Sequence, residues 1–297
     1  MSSPMEFSVV IATKDRRALL EGALASLQAQ ANAPTFEVIV VDNGSTDGTR
    51  STVEAYANAG SSVRYLAQPE PNRGKSRNRG VEAARGRYIA FCDDDVRLPA
   101  GWLAAHAAAQ SGDDYVVNGP ILNVASVEVT PKAGPANYSR AFLCTCNASL
   151  AKRAFERAGG FDESFDLYGW EDTELGVRLR ESGCRWRFAW DAYLWHLKPD
   201  THGALEIEAR KAVEKARMAS RFLAKHPSGR ARLATGAHPL NLFRARYLLP
   251  EALLAFYAGV SKSSRAPAWL RALGRGQLLD GLYARELVAA LDAEHGR

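Results

Sequence analysis

Arg87-Tyr-Ile-Ala-Phe-Cys-Asp-Asp-Asp95 is a short apolar run that ends abruptly in three carboxylates. A run this short and this apolar reads as a strand buried on both faces, the kind found in parallel sheets covered by helices. Upstream, the same unit recurs. Phe7-Ser-Val-Val-Ile-Ala12, Phe36-Glu-Val-Ile-Val-Val41 and Val63-Arg-Tyr-Leu66 are further strands. Between them lie stretches of helical spacing: Leu20, Ala23, Leu24 and Leu27 on one face, a helix over about 49–59, and another over about 75–85. Alternation of this kind predicts an α/β fold with a mostly parallel central sheet flanked by helices. In such sheets ligands bind beyond the carboxyl ends of the strands, here Ala12-Thr-Lys14, Asp42 and Asp93–Asp95.

After Pro99 the pattern changes. We expect a helix over about 100–110, extended segments at 115–118 and 121–129, and a helix near 150–158. A turn at Gly159-Gly-Phe-Asp-Glu163, an amphipathic helix over 174–182 and a strand over 185–195 follow. From about 204 onward only helices are expected.

Composition agrees with a globular chain: 297 residues, 46% hydrophobic and 24% charged, which excludes collagen-like, coiled-coil and wholly disordered classes. The net charge of +5 divides unevenly. Residues 1–200 carry 22 Lys/Arg against 25 Asp/Glu, and residues 201–297 carry 16 against 8. The first residues lack a cationic and apolar leader pattern. The most apolar late stretch, 247–260, is bounded by Arg246 and Lys262 and is shorter than the ~20 residues a span requires. Cys92, Cys144, Cys146 and Cys184 form no disulfide framework, so a cytoplasmic protein is expected. Cys144-Thr-Cys146 finds no second pair at metal spacing and reads as buried thiols.

Asp93 and Asp95 point to one side of an extended chain while Asp94 points off it. Oxygen ligands here suit Mg²⁺ or Mn²⁺ held together with substrate phosphates; a solvated acidic turn is the plain alternative. An EF-hand is excluded by Leu98 and Ala104 at its glycine and glutamate positions. Asp42 is either a ribose-binding acid or a cap for the Asn43-Gly-Ser-Thr loop. The glycine-free turn Thr13-Lys-Asp-Arg-Arg17 disfavours a dehydrogenase. Asn72-Arg-Gly-Lys-Ser-Arg-Asn-Arg-Gly80 is no P-loop, and suits either a diphosphate or a solvated helix start. Asp172 in Trp170-Glu-Asp-Thr-Glu174 is a helix N-cap or a general base, and the two conflict mildly because a cap keeps its carboxylate acidic. His196 is a structural histidine or a metal ligand.

Taken in order, Ser8–Arg16, Val40–Thr49, Asn72–Gly80, Ile89–Asp95, Gly159–Glu163 and Trp170–Leu179 resemble the family 2 glycosyltransferases of GT-A fold over roughly residues 5–200. The resemblance implies a Rossmann-like nucleotide-sugar-binding half (1–98), an acceptor-binding half of the same domain (99–200) and, outside it, a basic helical C-terminal extension (201–297). It implies a metal-dependent inverting glycosyltransferase, hexosyltransferase-like, with a divalent cation (Mn²⁺ or Mg²⁺). The donor would be a nucleotide-sugar, a UDP-sugar first, and the acceptor a hydroxyl of a glycan, lipid-linked or small molecule. By similarity Thr13, Asp42, Arg77, Asp93 and Asp94 bind donor, and Asp95, Asp93 and His196 hold the metal. Asp172 is the base, with Trp170 and Glu171 on the acceptor side. The Ala12-Thr-Lys-Asp-Arg16 start departs from the family's usual Pro-Thr-x-Asn-Arg.

Two rival readings are a catalytically silent nucleotide- or carbohydrate-binding scaffold and a sugar-nucleotide pyrophosphorylase. The second wants a glycine-rich basic loop after the first strand, which this chain lacks. In the extension, residues 210–232 hold eight Lys/Arg against Glu214, with Phe222, Leu223, Phe243, Phe256 and Trp269 as apolar partners. A peripheral contact with anionic membrane through 204–275, at the inner face, competes there with a solvated helical face; no nucleic-acid module is present.

Overall fold

The computed structural model describes residues 5–126, 128, 130–198, 204–294 and 296. In chain order the elements are β1 Phe7–Thr13, α1 Arg17–Gln28, β2 Phe36–Asp42, α2 Thr49–Asn58, β3 Val63–Ala67, α3 Arg73–Ala83 and β4 Tyr88–Cys92. They continue with β5 Val96–Arg97, α4 Trp102–Ala109, β6 Tyr115–Asn118, β7 Ile121–Val124, β8 Asn147–Ala151 and α5 Lys152–Arg157. Then come α6 Glu171–Glu181, β9 Arg185–Phe188, β10 Leu194–Leu197, α7 Ala204–Lys225, α8 Gly229–Thr235, α9 Pro239–Phe243, α10 Glu251–Lys262 and α11 Ala268–Glu294.

Two compact units form: Met1–Asp166 with Glu171–Asp200, and Leu167–Trp170 with Thr201–Arg297. The first is built on a seven-stranded sheet of order β3-β2-β1-β4-β8-β6-β9. β1 to β4 are mutually parallel where they pair, β8 runs antiparallel to both β4 and β6, and β9 is parallel to β6. This is the expected mostly parallel sheet. Its register sets Thr13 beside Asp42 at the carboxyl edge. Every residue of β4 is buried, as its unbroken apolar pattern requires. Gly80 lets α3 lie close on the sheet, since a Cβ there would overlap Val10. Asn72 caps α3 by accepting the Lys75 N–H at 2.9 Å.

A second sheet, β5-β10-β7, stands beside the first. β10 is antiparallel to β5, with His196 opposite Val96, and parallel to β7. Leu197 N–H donates to the Asp95 carbonyl at 2.8 Å, so this small sheet ties His196 to the acidic loop.

Three expectations change. Leu150 and Ala151 belong to strand β8, and the helix begins only at Lys152. β8 is only five residues, Asn147-Ala-Ser-Leu-Ala151, and it runs straight into the helix at Lys152, so no turn residue in the sequence marks where the strand stops. The segment over 185–195 is two strands in different sheets, broken by a turn in which Ala192 N–H donates to the Ala189 carbonyl. The extended segment from Ile121 ends at Val124; Val127 and Val129 lie outside the described residues.

The second unit consists, among its described residues, of helices. α10 and α11 pack through glycines: Leu254 lies against Gly281 and Val260 against Gly274. Phe222 and Leu223 are buried, and Phe222 stacks on Trp170 at 5.1 Å between ring centres.

Candidate active site

At the carboxyl edge of the parallel strands, the acidic triplet divides as the alternation of an extended chain demands. Asp94 turns inward, where Thr13 Oγ1 donates to it at 2.7 Å and Arg16 at 3.0 Å. Burial pushes the Asp94 carboxyl up, and Arg16 opposes that. Asp94 and Thr13 therefore shape the loop from beneath. Asp42 is buried and fully engaged as well: Ser45 N–H donates to one oxygen and the Tyr65 hydroxyl to the other, each at 2.9 Å. Burial, then Asp42, pushes the Tyr65 phenol up to about 12.

Asp93 and Asp95 face outward from the loop. Asp93 accepts from Arg77 at 3.3 Å. Asp95 accepts from Arg16 at 2.9 Å through Oδ2, and its Oδ1 lies 3.2 Å from His196 Nε2. Against the burial that would raise it, His196 and Arg16 hold the Asp95 carboxyl below its ordinary value. Although His196 is within ion-pair distance, Asp95 Oδ1 is buried and makes no hydrogen bond. On the far side of the imidazole, Nδ1 sits 3.0 Å from Asn123 Oδ1. With that oxygen as acceptor, Nδ1 donates to Asn123 and the ring is held with Nε2 directed at the acids, the usual support for a metal-ligating histidine. Ligand atoms of Asp93, His196 and Cys146 all lie within 4.8 Å of one another. A carboxylate oxygen, an imidazole nitrogen and a thiol converging this closely, with a second carboxylate beside them, are donors a divalent cation can use, so the residues fit one.

Asp172 lies inside the first turn of α6, not at its N-cap. Thr145 holds it instead, through its backbone N–H at 2.8 Å and its hydroxyl at 2.9 Å. Burial pushes the Asp172 carboxyl up to about 6; Arg77 opposes and Glu171 adds to this. The conflict between cap and base read in the sequence therefore does not arise. Arg77, itself buried against the Phe161 ring, joins the two groups of acids: one guanidinium nitrogen meets Asp93 and another lies 3.9 Å from Glu171. Trp170 has positive φ and its ring stacks on Phe222.

Comparison with known proteins decides the family. The Glycosyl transferase family 2 model matches residues 8–161, more than half of the chain. The chain belongs to this family. A second family model, described as the N-terminal domain of galactosyltransferase, matches residues 127–200. Among relatives, a validoxylamine A glucosyltransferase of Streptomyces hygroscopicus subsp. limoneus is 28% identical over 74% of this chain and 57% of its own length. An Escherichia coli chondroitin synthase is 27% identical over 65% of this chain and 34% of its own. The chain thus spans little more than half of the first relative and a third of the second.

Among solved structures, a Pyrobaculum calidifontis mannosyltransferase in complex with GDP-Man and Mn²⁺ aligns with a TM-score of 0.62 at 20% identity, over 99% of this chain and 88% of that one. Residues 1–349 of S. aureus TarS in complex with UDP-GlcNAc align with a TM-score of 0.58 at 20% identity, over 99% and 93%. The family 2 chain has the GT-A fold.

Four contributors at this site carried no sequence signal of their own. Arg16 stood only in the opening segment, and Asn123 in an ordinary strand. Thr145 and Cys146 stood in a segment read as buried thiols. Each acts through a partner distant in sequence: 27 residues separate Thr145 from Asp172, and 73 separate Asn123 from His196.

Proposed function

We propose that the protein is an inverting, metal-dependent glycosyltransferase that moves a sugar from a nucleotide-sugar, a UDP-sugar first, to an acceptor hydroxyl. The observation that carries this reading is Asp172: a buried carboxylate held by Thr145, with its pKa raised to about 6, joined through the Glu171–Arg77–Asp93 chain to the acidic loop. A carboxylate in that range is ionised at neutral pH and still basic enough to take a proton from a sugar hydroxyl as its oxygen attacks the anomeric carbon. The new carbon–oxygen bond forms as the bond to the nucleoside diphosphate breaks, with inversion.

Asp93, Asp95 and His196 would hold the divalent cation, which, when bound, supplies positive charge to a diphosphate leaving group. Arg77 would add its charge on the diphosphate side. Asp42 and Thr13 would line the nucleoside side, and Asp94 would act by fixing Thr13 and Arg16. Glu171 would flank the acceptor. Donors of this class are bound in structural neighbours, one with UDP-GlcNAc and one with GDP-Man and Mn²⁺.

The test is donor hydrolysis and transfer with Mn²⁺, for wild type, Asp95→Ala and Asp172→Asn. We expect Asp172→Asn to keep donor binding while losing turnover, and Asp95→Ala to lose metal-dependent donor binding. Full turnover by both variants would remove this mechanism, whereas wild type that binds donor without turning it over would leave a binding scaffold.

A further inference from the structure

Charge and exposed apolar surface coincide in one part of the helical unit. Residues 225–275 contain nine Lys/Arg and a single acid, Glu251. The same stretch supplies eight of the large hydrophobic side chains left exposed in the described chain. Leu240 is 79% exposed, Phe243 57%, Tyr247 65%, Phe256 62% and Trp269 68%.

These side chains fall on consecutive helical elements of one unit. α9 runs directly into a π-helical turn, Arg244–Leu248. Along it Ala245 and Leu249 go to the interior while Leu240, Phe243, Tyr247 and Leu248 stay outside, with the Phe243 and Tyr247 rings 5.0 Å apart. α10 has no charged residue between Glu251 and Lys262, and its exposed positions include Ala252, Ala255, Phe256 and Gly259. A solvent-facing helix normally carries charge on that face. On α11, Trp269 and Leu273 are four apart and both exposed, next to the Gly274–Val260 contact that packs the two helices together. Arg230, Arg232 and Arg265 are exposed and make no ion pair among the described residues.

We propose that this surface, Leu240 to Leu273, docks the protein on an anionic phospholipid surface, its aromatic and leucine side chains entering the headgroup boundary and its arginines meeting lipid phosphates. Exposed aromatics with a cationic surround are the composition of an interfacial segment that lies on a bilayer. No helix among the described residues is long and apolar enough to cross a membrane, so contact would be at the surface. A second copy of the chain is the poorer occupant, because it would set Arg230, Arg232 and Arg265, which make no ion pair among the described residues, against the same three arginines. The docking surface is independent of the reaction proposed above, and donor hydrolysis reads that reaction separately.

The test is co-sedimentation of the full chain with phosphatidylcholine vesicles and with vesicles containing phosphatidylglycerol, at low and high salt. Wild type is expected to pellet with the anionic vesicles only, and less at high salt. A Phe243→Ser/Phe256→Ser/Trp269→Ser variant is expected to pellet roughly tenfold less or lower, with unchanged circular dichroism and donor hydrolysis. An Arg230→Gln/Arg232→Gln/Arg265→Gln variant should lose the preference for anionic lipid. Wild type that stays in the supernatant with anionic vesicles, or a serine variant that pellets as wild type does, would overturn the proposal. So would a wild-type dimer in light scattering that the serine variant converts to monomer.

Discussion

Thr145 donates twice to Asp172, from its backbone N–H at 2.8 Å and from its hydroxyl at 2.9 Å. This is the relationship that makes a buried carboxylate usable. Burial raises the Asp172 pKa, while both Thr145 bonds favour the ionised form and lower it. In Thr145→Val the hydroxyl bond is lost and the carboxyl should titrate higher still. The acid limb of the rate–pH profile, expected near pH 6 in wild type, should move up by about one unit. A limb that stays in place would show that Asp172 is not the group being titrated.

Asp172→Asn should cost turnover on the order of 10²–10⁴-fold, the usual contribution of a general base. Its effect on stability has the opposite sign. Because the folded pKa lies above the unfolded value, the folded protein binds the extra proton between about pH 4 and 6, and this stabilisation fades as pH rises through 6. At pH 7.5 the ionised, buried carboxylate is a net cost on the order of 2 kcal/mol. The asparagine variant should therefore melt at the same temperature as wild type or higher at pH 7.5, as thermal denaturation would show.

His106 provides a contrasting pH dependence remote from the reaction. It is buried between Ser149 and Asn147, and burial pulls its pKa down to about 4. A depressed histidine stabilises fully above its unfolded pKa, near 6.5, and loses that contribution as pH falls toward 4. Urea unfolding of wild type should weaken over that window by up to about 3 kcal/mol. His106→Leu should be less stable at neutral pH, from the two lost hydrogen bonds, but flatter between pH 6.5 and 4.

Asp95 and His196 should be separable from folding by metal titration. Mn²⁺ with a nucleoside diphosphate should raise the wild-type melting temperature. His196→Ala and Asp95→Asn should each reduce that shift strongly. Asn123→Ala, which removes the acceptor on the other imidazole nitrogen, should weaken Mn²⁺ binding by about tenfold, as electron paramagnetic resonance would measure.

Gly119, between β6 and β7, has no room for a side chain. A Cβ there would overlap the Ala192 carbonyl and the Asn147 amide, which itself bonds that carbonyl at 2.8 Å. Gly119→Ala should destabilise by roughly 3 kcal/mol or more. Calorimetry showing a loss below about 1 kcal/mol would mean that the junction of the two sheets relaxes.

How much of this was legible beforehand depended on whether a residue's neighbours were local. β1, β2 and β4 are plain because a strand buried on both faces reads as a nearly continuous apolar run. Their carboxyl ends then located Thr13, Asp42 and Asp93–Asp95 without further information. The end of β8 is hidden because Leu150 and Ala151 pass directly into the helix at Lys152 with no turn residue between them. The stretch after Gly183 looks like one strand because the five residues between β9 and β10 include Trp190 and Tyr193, which match strand composition.

Sequence alone determined the class of fold, the strand edge that carries the candidate site and the types of side chain present there. These follow from burial and from the alternation of an extended chain, which act on neighbours. Only the tertiary structure decided what state those side chains are in. Asp94 accepts from Thr13 and Arg16, and Asp42 from Ser45 and Tyr65. Asp172 is held by Thr145 rather than by the end of its own helix. Among the candidate apolar partners in the basic region, Phe222 is buried, whereas Phe243, Phe256 and Trp269 face solvent. A carboxylate's pKa and an aromatic ring's exposure are set by atoms that folding brings from distant parts of the chain, and no local pattern encodes them.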